Sequence, residues 1–134
     1  MATIFYFSSR TADESTTQSE GVSFILGNII YKDFNEWPLS EQIEFADSIS
    51  NVVRKGAHMT EYAILFILWF NAFGSNIPIA FAIAVLYAST DEFHQRFVKG
   101  RTGKVEDVLI DACGALIAVI ITEIIILIKK KKGA

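Results

Sequence analysis

Two histidines, each three residues from a carboxylate, are the first groups in this chain that could do chemistry. His58 precedes Glu61, and His94 follows Asp91. Helix residues advance by about 100°, so Arg54, His58 and Glu61 share one face within roughly 60°. Tyr87, Asp91 and His94 repeat that arrangement, with Gln95 at its margin. Asp107 and Asp111 share a face with Gly114 and Ala118, whose small-xxx-small spacing lets helices in lipid approach closely. Glu92 and Glu123 fall on other faces.

These residue types suit three chemistries. Two imidazoles beside carboxylates can work as acid and base near neutral pH, which makes His58, Glu61, Asp91 and His94 the candidate catalytic set. The same groups, with Asp107 and Asp111, are mixed nitrogen and oxygen donors for a possible divalent metal, although His-x-x-Glu reverses the Glu-x-x-His order of bundle metal sites. No cofactor is established by the pattern. The third chemistry is anion recognition, because Arg54, Lys55, Arg96, Arg101 and Lys104 ring the cluster and guanidinium forks match phosphate or carboxylate. The binding set is then Arg54, Lys55, Tyr87, Gln95, Arg101, Asp107 and Asp111. Lys99-Gly100-Arg101-Thr102-Gly103-Lys104 reads equally as an anion-gripping loop or a plain solvated turn. A purely structural reading competes with all three: the basic groups clamp Asp91, Asp107 and Asp111 and hold the helices together. Cys113 reads as a packing residue.

The elements that must carry these groups follow from the patterning. The chain has 134 residues, the size of one domain, 1–134. It is 51% hydrophobic with a mean hydropathy of +0.36. One cysteine rules out a disulfide-stapled fold, 11 Phe and long apolar runs rule out disorder, and a pI near 5.3 argues against nucleic acid as partner. No charge occurs from Tyr62 to Thr90. As one helix that run would be about 43 Å, longer than a hydrocarbon core of about 30 Å. Gly74-Ser75-Asn76 followed by Pro78 divides it into a hairpin.

The expected fold is therefore all-α: a small integral membrane bundle of about three transmembrane helices within residues 54–128. A polar, amphipathic or interfacial part, 1–53, precedes it, and a basic tail, 129–134, follows. Ser8–Gly21 reads as a solvated loop and Val22–Phe34 as a short helix. Trp37-Pro38 is a break, and Ser40 caps a helix that runs on without a stop signal. The last helix spans about Asp107–Ile128. Hairpin parity puts Arg54–Glu61, Asp91–Gln95 and Asp107–Asp111 at one membrane face. Four closing lysines favour the cytoplasmic side, which turns that face outward.

At these residues a family becomes recognisable. Arg54-Lys55-Gly56-Ala57-His58-Met59-Thr60-Glu61-Tyr62 resembles the Arg-Lys-x-x-His-x-x-Glu-Tyr motif of VanZ-like membrane proteins. Asp91-Glu92-Phe93-His94-Gln95 with Gly100-Arg101-Thr102-Gly103 resembles the second motif, and Asp107-Val108-Leu109-Ile110-Asp111 with Gly114 the third. Ser8-Ser9 and Ser15 through Ser19 are similar to the family's serine-rich segment. The resemblance implies a multi-pass protein of the bacterial cytoplasmic membrane and cell envelope, in a family tied to antibiotic resistance against teicoplanin. It implies no established reaction. An outward pocket that binds or shields an anionic lipid or wall precursor is the first reading. A membrane enzyme acting on a lipid-linked phosphate or carboxylate is the alternative. Members usually begin with a full membrane helix, and Met1–Phe7 stands in its place as a truncated one. The oligomeric state is unknown.

Overall fold

The computed structural model describes residues 10–101 and 104–132. Among them every regular element is helical: α1 (Ala12–Ile30), a short 3-10 turn (Phe34–Glu36), α2 (Leu39–Ala72), α3 (Ile77–Gln95) and α4 (Val105–Lys132). Met1–Phe7 lies outside the described residues.

Of the segment expected to be a loop, Ser8 and Ser9 lie outside the described residues, and from Ala12 on it is the first half of α1. Thr11 starts it with a capping box: its hydroxyl accepts from the Glu14 amide at 3.4 Å, and the Glu14 carboxylate accepts from the Thr11 amide at 2.9 Å. The serines then satisfy themselves within the helix. Ser19 Oγ donates to the Ser15 carbonyl and Ser23 Oγ to the Ser19 carbonyl, at 2.9 and 2.8 Å. Ser15, Ser19, Ser23 and Gly27 recur every four residues and form the buried seam of α1 against α2. At Gly27 the seam is tightest, since an added Cβ would lie 2.5 Å from the buried Phe34 ring. The corner between α1 and α2 is aromatic, with Phe34 packed on Trp37 and Phe45 at centroid distances of 5.2 and 5.4 Å.

α2 begins at Leu39 behind Pro38, so Ser40 sits inside the helix and not at its cap. Pro38 itself takes the cap position with its fixed φ, and its carbonyl accepts from the Glu41 and Gln42 amides at 2.9 and 3.1 Å. α2 then runs without interruption to Ala72, about 51 Å. The hairpin turn forms where expected. Gly74 and Ser75 both take positive φ, +60° and +67°, and Asn76 Oδ1 accepts from the Ile79 amide to start α3.

α2, α3 and α4 pack through small residues. Ala80, Ala84 and Ala88 of α3 and Gly114, Ala115 and Ala118 of α4 are buried, along with Tyr62, Leu65 and Phe66 of α2. Many large aliphatic side chains face outward: Leu86 is 65% exposed and Ile121 52%. Cys113 also faces outward and does not pack inside. α4 is the one described helix that is long and apolar enough to cross a membrane by length and composition. About three such spans were expected.

Candidate functional site

The polar residues meet where α1, α2, α3 and α4 come together. The approach of α4 to α2 is set by Gly114, whose added Cβ would fall 2.1 Å from the Met59 carbonyl oxygen. One helical turn before Gly114 lies Asp111, 1% exposed, and one residue before Met59 lies His58. Backbone contact at 59 and 114 therefore brings that pair together, with His58 Nδ1 3.7 Å from Asp111 Oδ1. Among the described residues Asp111 Oδ2 and the Tyr62 hydroxyl are buried without a hydrogen-bond partner.

A cavity of about 220 Å³ opens beside this pair. α2 contributes Asn51, Arg54, Lys55 and His58. α3 contributes Glu92 and Gln95, the following loop Gly100, Arg101 and Lys104, and α4 Glu106, Asp107, Ile110 and Asp111. Gly100 takes a φ of +78°, which turns the loop over the cavity and against α1. The Ala12 amide donates to the Lys99 carbonyl there at 3.4 Å. Arg54 Nη2 donates to Asn51 Oδ1 at 2.7 Å. Among the described residues no carboxylate comes within ion-pairing distance of the Arg54 or Arg101 guanidinium. Burial pushes the Arg101 pKa down and the positive charge of Arg54 adds to that, while the carboxylates of Asp91, Glu92 and Glu61 act the other way. Two guanidinium groups that line a half-buried site without an ion pair of their own keep donors for an anion.

Of the eleven residues singled out in the sequence, Arg54, Lys55, His58, Gln95, Arg101, Asp107 and Asp111 line this cavity. Glu61 lines a neighbouring cleft with Arg54, His58 and Arg101. Asp91 is buried behind the cavity wall, where it accepts from Gln95 Nε2 at 3.2 Å. Tyr87 stands beside Tyr62, with centroids 6.5 Å apart, and His94 is half-buried; neither lines either cavity. Arg96 ends α3 and lies outside both.

Two further differences concern the wheel. Glu92, placed on another face, is 5% exposed and belongs to the cavity, because Glu92 Oε2 accepts from the Lys104 amide at 3.1 Å. That bond ties the end of α3 to the start of α4. The signal for it is position: a carboxylate at the last turn of a helix can reach the loop that follows, whatever its angle. Second, no group of three or more His, Cys, Asp or Glu among the described residues is arranged to hold a metal ion. His58, Glu61, Asp91, His94, Asp107 and Asp111 are spread across two cavities and the wall behind them.

No curated protein and no solved structure matches the chain. A sequence profile of the VanZ/LLP1 family matches residues 1–127, nearly the whole length. With that coverage, and with the three motif segments meeting around one cavity, the chain belongs to the VanZ/LLP1 family.

Proposed function

We propose that this protein is a multi-pass membrane protein that binds the anionic group of an envelope lipid or wall precursor in the cavity between α2, α3 and α4. The observation that carries the reading is the pair Arg54 and Arg101, two guanidinium groups that line one cavity with no carboxylate in ion-pairing range among the described residues. Forked donors of this kind match phosphate and carboxylate oxygens. The arrangement of side chains supports membrane crossing by α2 and α3 as well as α4. Small residues are buried between the helices and large aliphatic ones face out, the pattern of helix packing in lipid. The lysines at residues 129–132 sit at the end of α4 away from the cavity, and a cytoplasmic position for them turns the cavity outward. A protein that occupies wall precursors there would lower susceptibility to teicoplanin-type lipoglycopeptides.

The test is binding of phosphate-bearing lipid to the detergent-purified protein by native mass spectrometry. Arg54→Gln and Arg101→Gln each remove charge-assisted hydrogen bonds, so affinity falls by roughly 10- to 100-fold. Unchanged affinity in both variants removes the proposal.

The 3.7 Å approach of His58 to Asp111 favours a second reading, a membrane enzyme with His58 as general base and Asp111 as the group that orients it. Turnover across a panel of lipid phosphates, lost in His58→Ala, would support it, and no turnover by the unsubstituted protein would end it.

A further inference from the structure

The polar cavity has a neighbour on the far side of its arginines. A second cavity, of about 300 Å³, lies between α1 and α2, and it shares Arg54, His58 and Arg101 with the first. The rest of its wall has a different character. Val22, Val53 and Ala57 line it, together with Ser15, Gln18 and Ser19. Ser19 spends its hydroxyl on α1 itself, donating to the Ser15 carbonyl, so it presents little free hydrogen-bonding capacity to a ligand. Glu61 is the one acid among the lining residues, against two guanidinium groups. The cleft thus has a charged end at the arginines and an uncharged remainder, in which three aliphatic side chains stand beside Ser15, Gln18 and Ser19. The remainder reaches the surface at Val22, which is 46% exposed beside the outward-facing Ile25.

We propose that the two cavities are one bipartite site for a single-chain anionic amphiphile, with its phosphate on Arg54 and Arg101 and part of its hydrocarbon chain in the α1–α2 cleft. The inference rests on the anion-binding reading above and adds the chemical class of the ligand. Size agrees with it. A space of about 300 Å³ is at the lower limit for a small-molecule site and takes a segment of one chain, with the remainder leaving past Val22. Charge agrees as well, because the arginines sit at the junction and not at the far end of either space. A ligand held there by its charge has a polar cavity on one side and a less polar cleft on the other.

The experiment compares three probes on the full chain in detergent: lysophosphatidic acid, glycerol 3-phosphate and lysophosphatidylcholine. The first two share a phosphate monoester and differ by the chain, and the third keeps the chain without net negative charge. Burial of a few methylenes makes lysophosphatidic acid bind roughly 100-fold tighter than glycerol 3-phosphate, and lysophosphatidylcholine binds weakly. Ala57→Leu fills the cleft from an exposed position on α2 with a good helix former. It lowers lysophosphatidic acid affinity by about tenfold or more and leaves glycerol 3-phosphate binding unchanged, which also reports that the variant folds. Arg101→Gln weakens both. Equal affinity for the two phosphates, or an Ala57→Leu effect shared by both, overturns the bipartite site and leaves the phosphate cavity standing. Binding of both phosphates that ignores Arg101→Gln overturns the cavity reading and the bipartite site together.

Discussion

At residue 114 two backbones nearly touch. A methyl group there has no space, because the Met59 carbonyl oxygen and Cα lie 2.1 and 2.6 Å from where it would stand. Backbone cannot rotate aside as a side-chain tip does, so Gly114→Ala must push α4 off α2. The expected cost is about 2 kcal/mol or more, read as a lower melting temperature in detergent. The separation also widens the His58–Asp111 distance, so lipid-phosphate affinity should fall in the same variant. Gly56→Ala is the matched control. Nothing lies within 4 Å of its added Cβ, and alanine favours the helix by up to about 1 kcal/mol, so stability should hold or rise. A variant pair that behaves alike would show that helix propensity, not close approach, governs these glycines. Asp111→Asn tests the clamp. A carboxylate that only holds helices together predicts a stability loss that no phosphate ligand repairs, whereas a binding site predicts stabilisation by ligand in the unsubstituted protein.

At the scale of elements, the ends of helices carry the readable chemistry. Ser75 is held at φ +67° beside Gly74 at +60°. A left-handed residue with a Cβ costs about 1 kcal/mol, so Ser75→Gly should stabilise the hairpin by up to that amount in thermal unfolding. At the start of α1 the Glu14 carboxylate accepts from the Thr11 backbone amide and hydroxyl, and these bonds hold its pKa below the ordinary 4.5. A carboxyl with a lower pKa in the folded state contributes stability above the unfolded value and loses it as pH falls through the folded one. The protection factors of amides in the first turn of α1, with the intrinsic exchange rate divided out, should therefore fall on acidification below about pH 4.5, and Glu14→Gln should remove that pH dependence. Thr11→Ala should cost about 1 kcal/mol of α1 stability at neutral pH.

The same ends explain what could be read from the sequence and what could not. The 74–76 turn was legible because glycine, asparagine and proline each have one strong local preference there. The first half of α1 was not, since Ser, Thr and acids suit a loop equally well until a partner helix accepts their small size. Its Thr-x-x-Glu start was the available clue. His58, Asp107 and Asp111, which helical angle turns toward the neighbouring helices, line the cavity. The same angle misplaced Glu92, because wheel arguments describe contacts between helices and this carboxylate bonds to a loop. Asp91 and His94 share a face as the wheel says, yet the cavity ends before it reaches them.

For the whole molecule, α2 joins two layers. Its later part packs with α3 and α4, its earlier part packs with α1, and the cavity lies at the junction. Cys113 is the only cysteine in the chain and is exposed on α4, so it reports on the surroundings of that helix. In detergent-free bilayers its thiol should resist a water-soluble maleimide, and unfolding the protein in denaturing detergent should restore the reaction. In a Cys113→Ala background, Ser75→Cys and Asn51→Cys should label from opposite sides of sealed vesicles. Labelling of both from one side would refute the multi-pass arrangement.

The uninterrupted course of α2 has a mechanical consequence. The helix is pinned at Met59 by Gly114, with roughly 30 Å of rod on the side that carries α1 and roughly 20 Å on the side of the hairpin turn. With no break between the two arms, the rod does not absorb a displacement at its α1 end in a bend but passes it to the buried contacts that Tyr62, Leu65 and Phe66 make with α3 and α4.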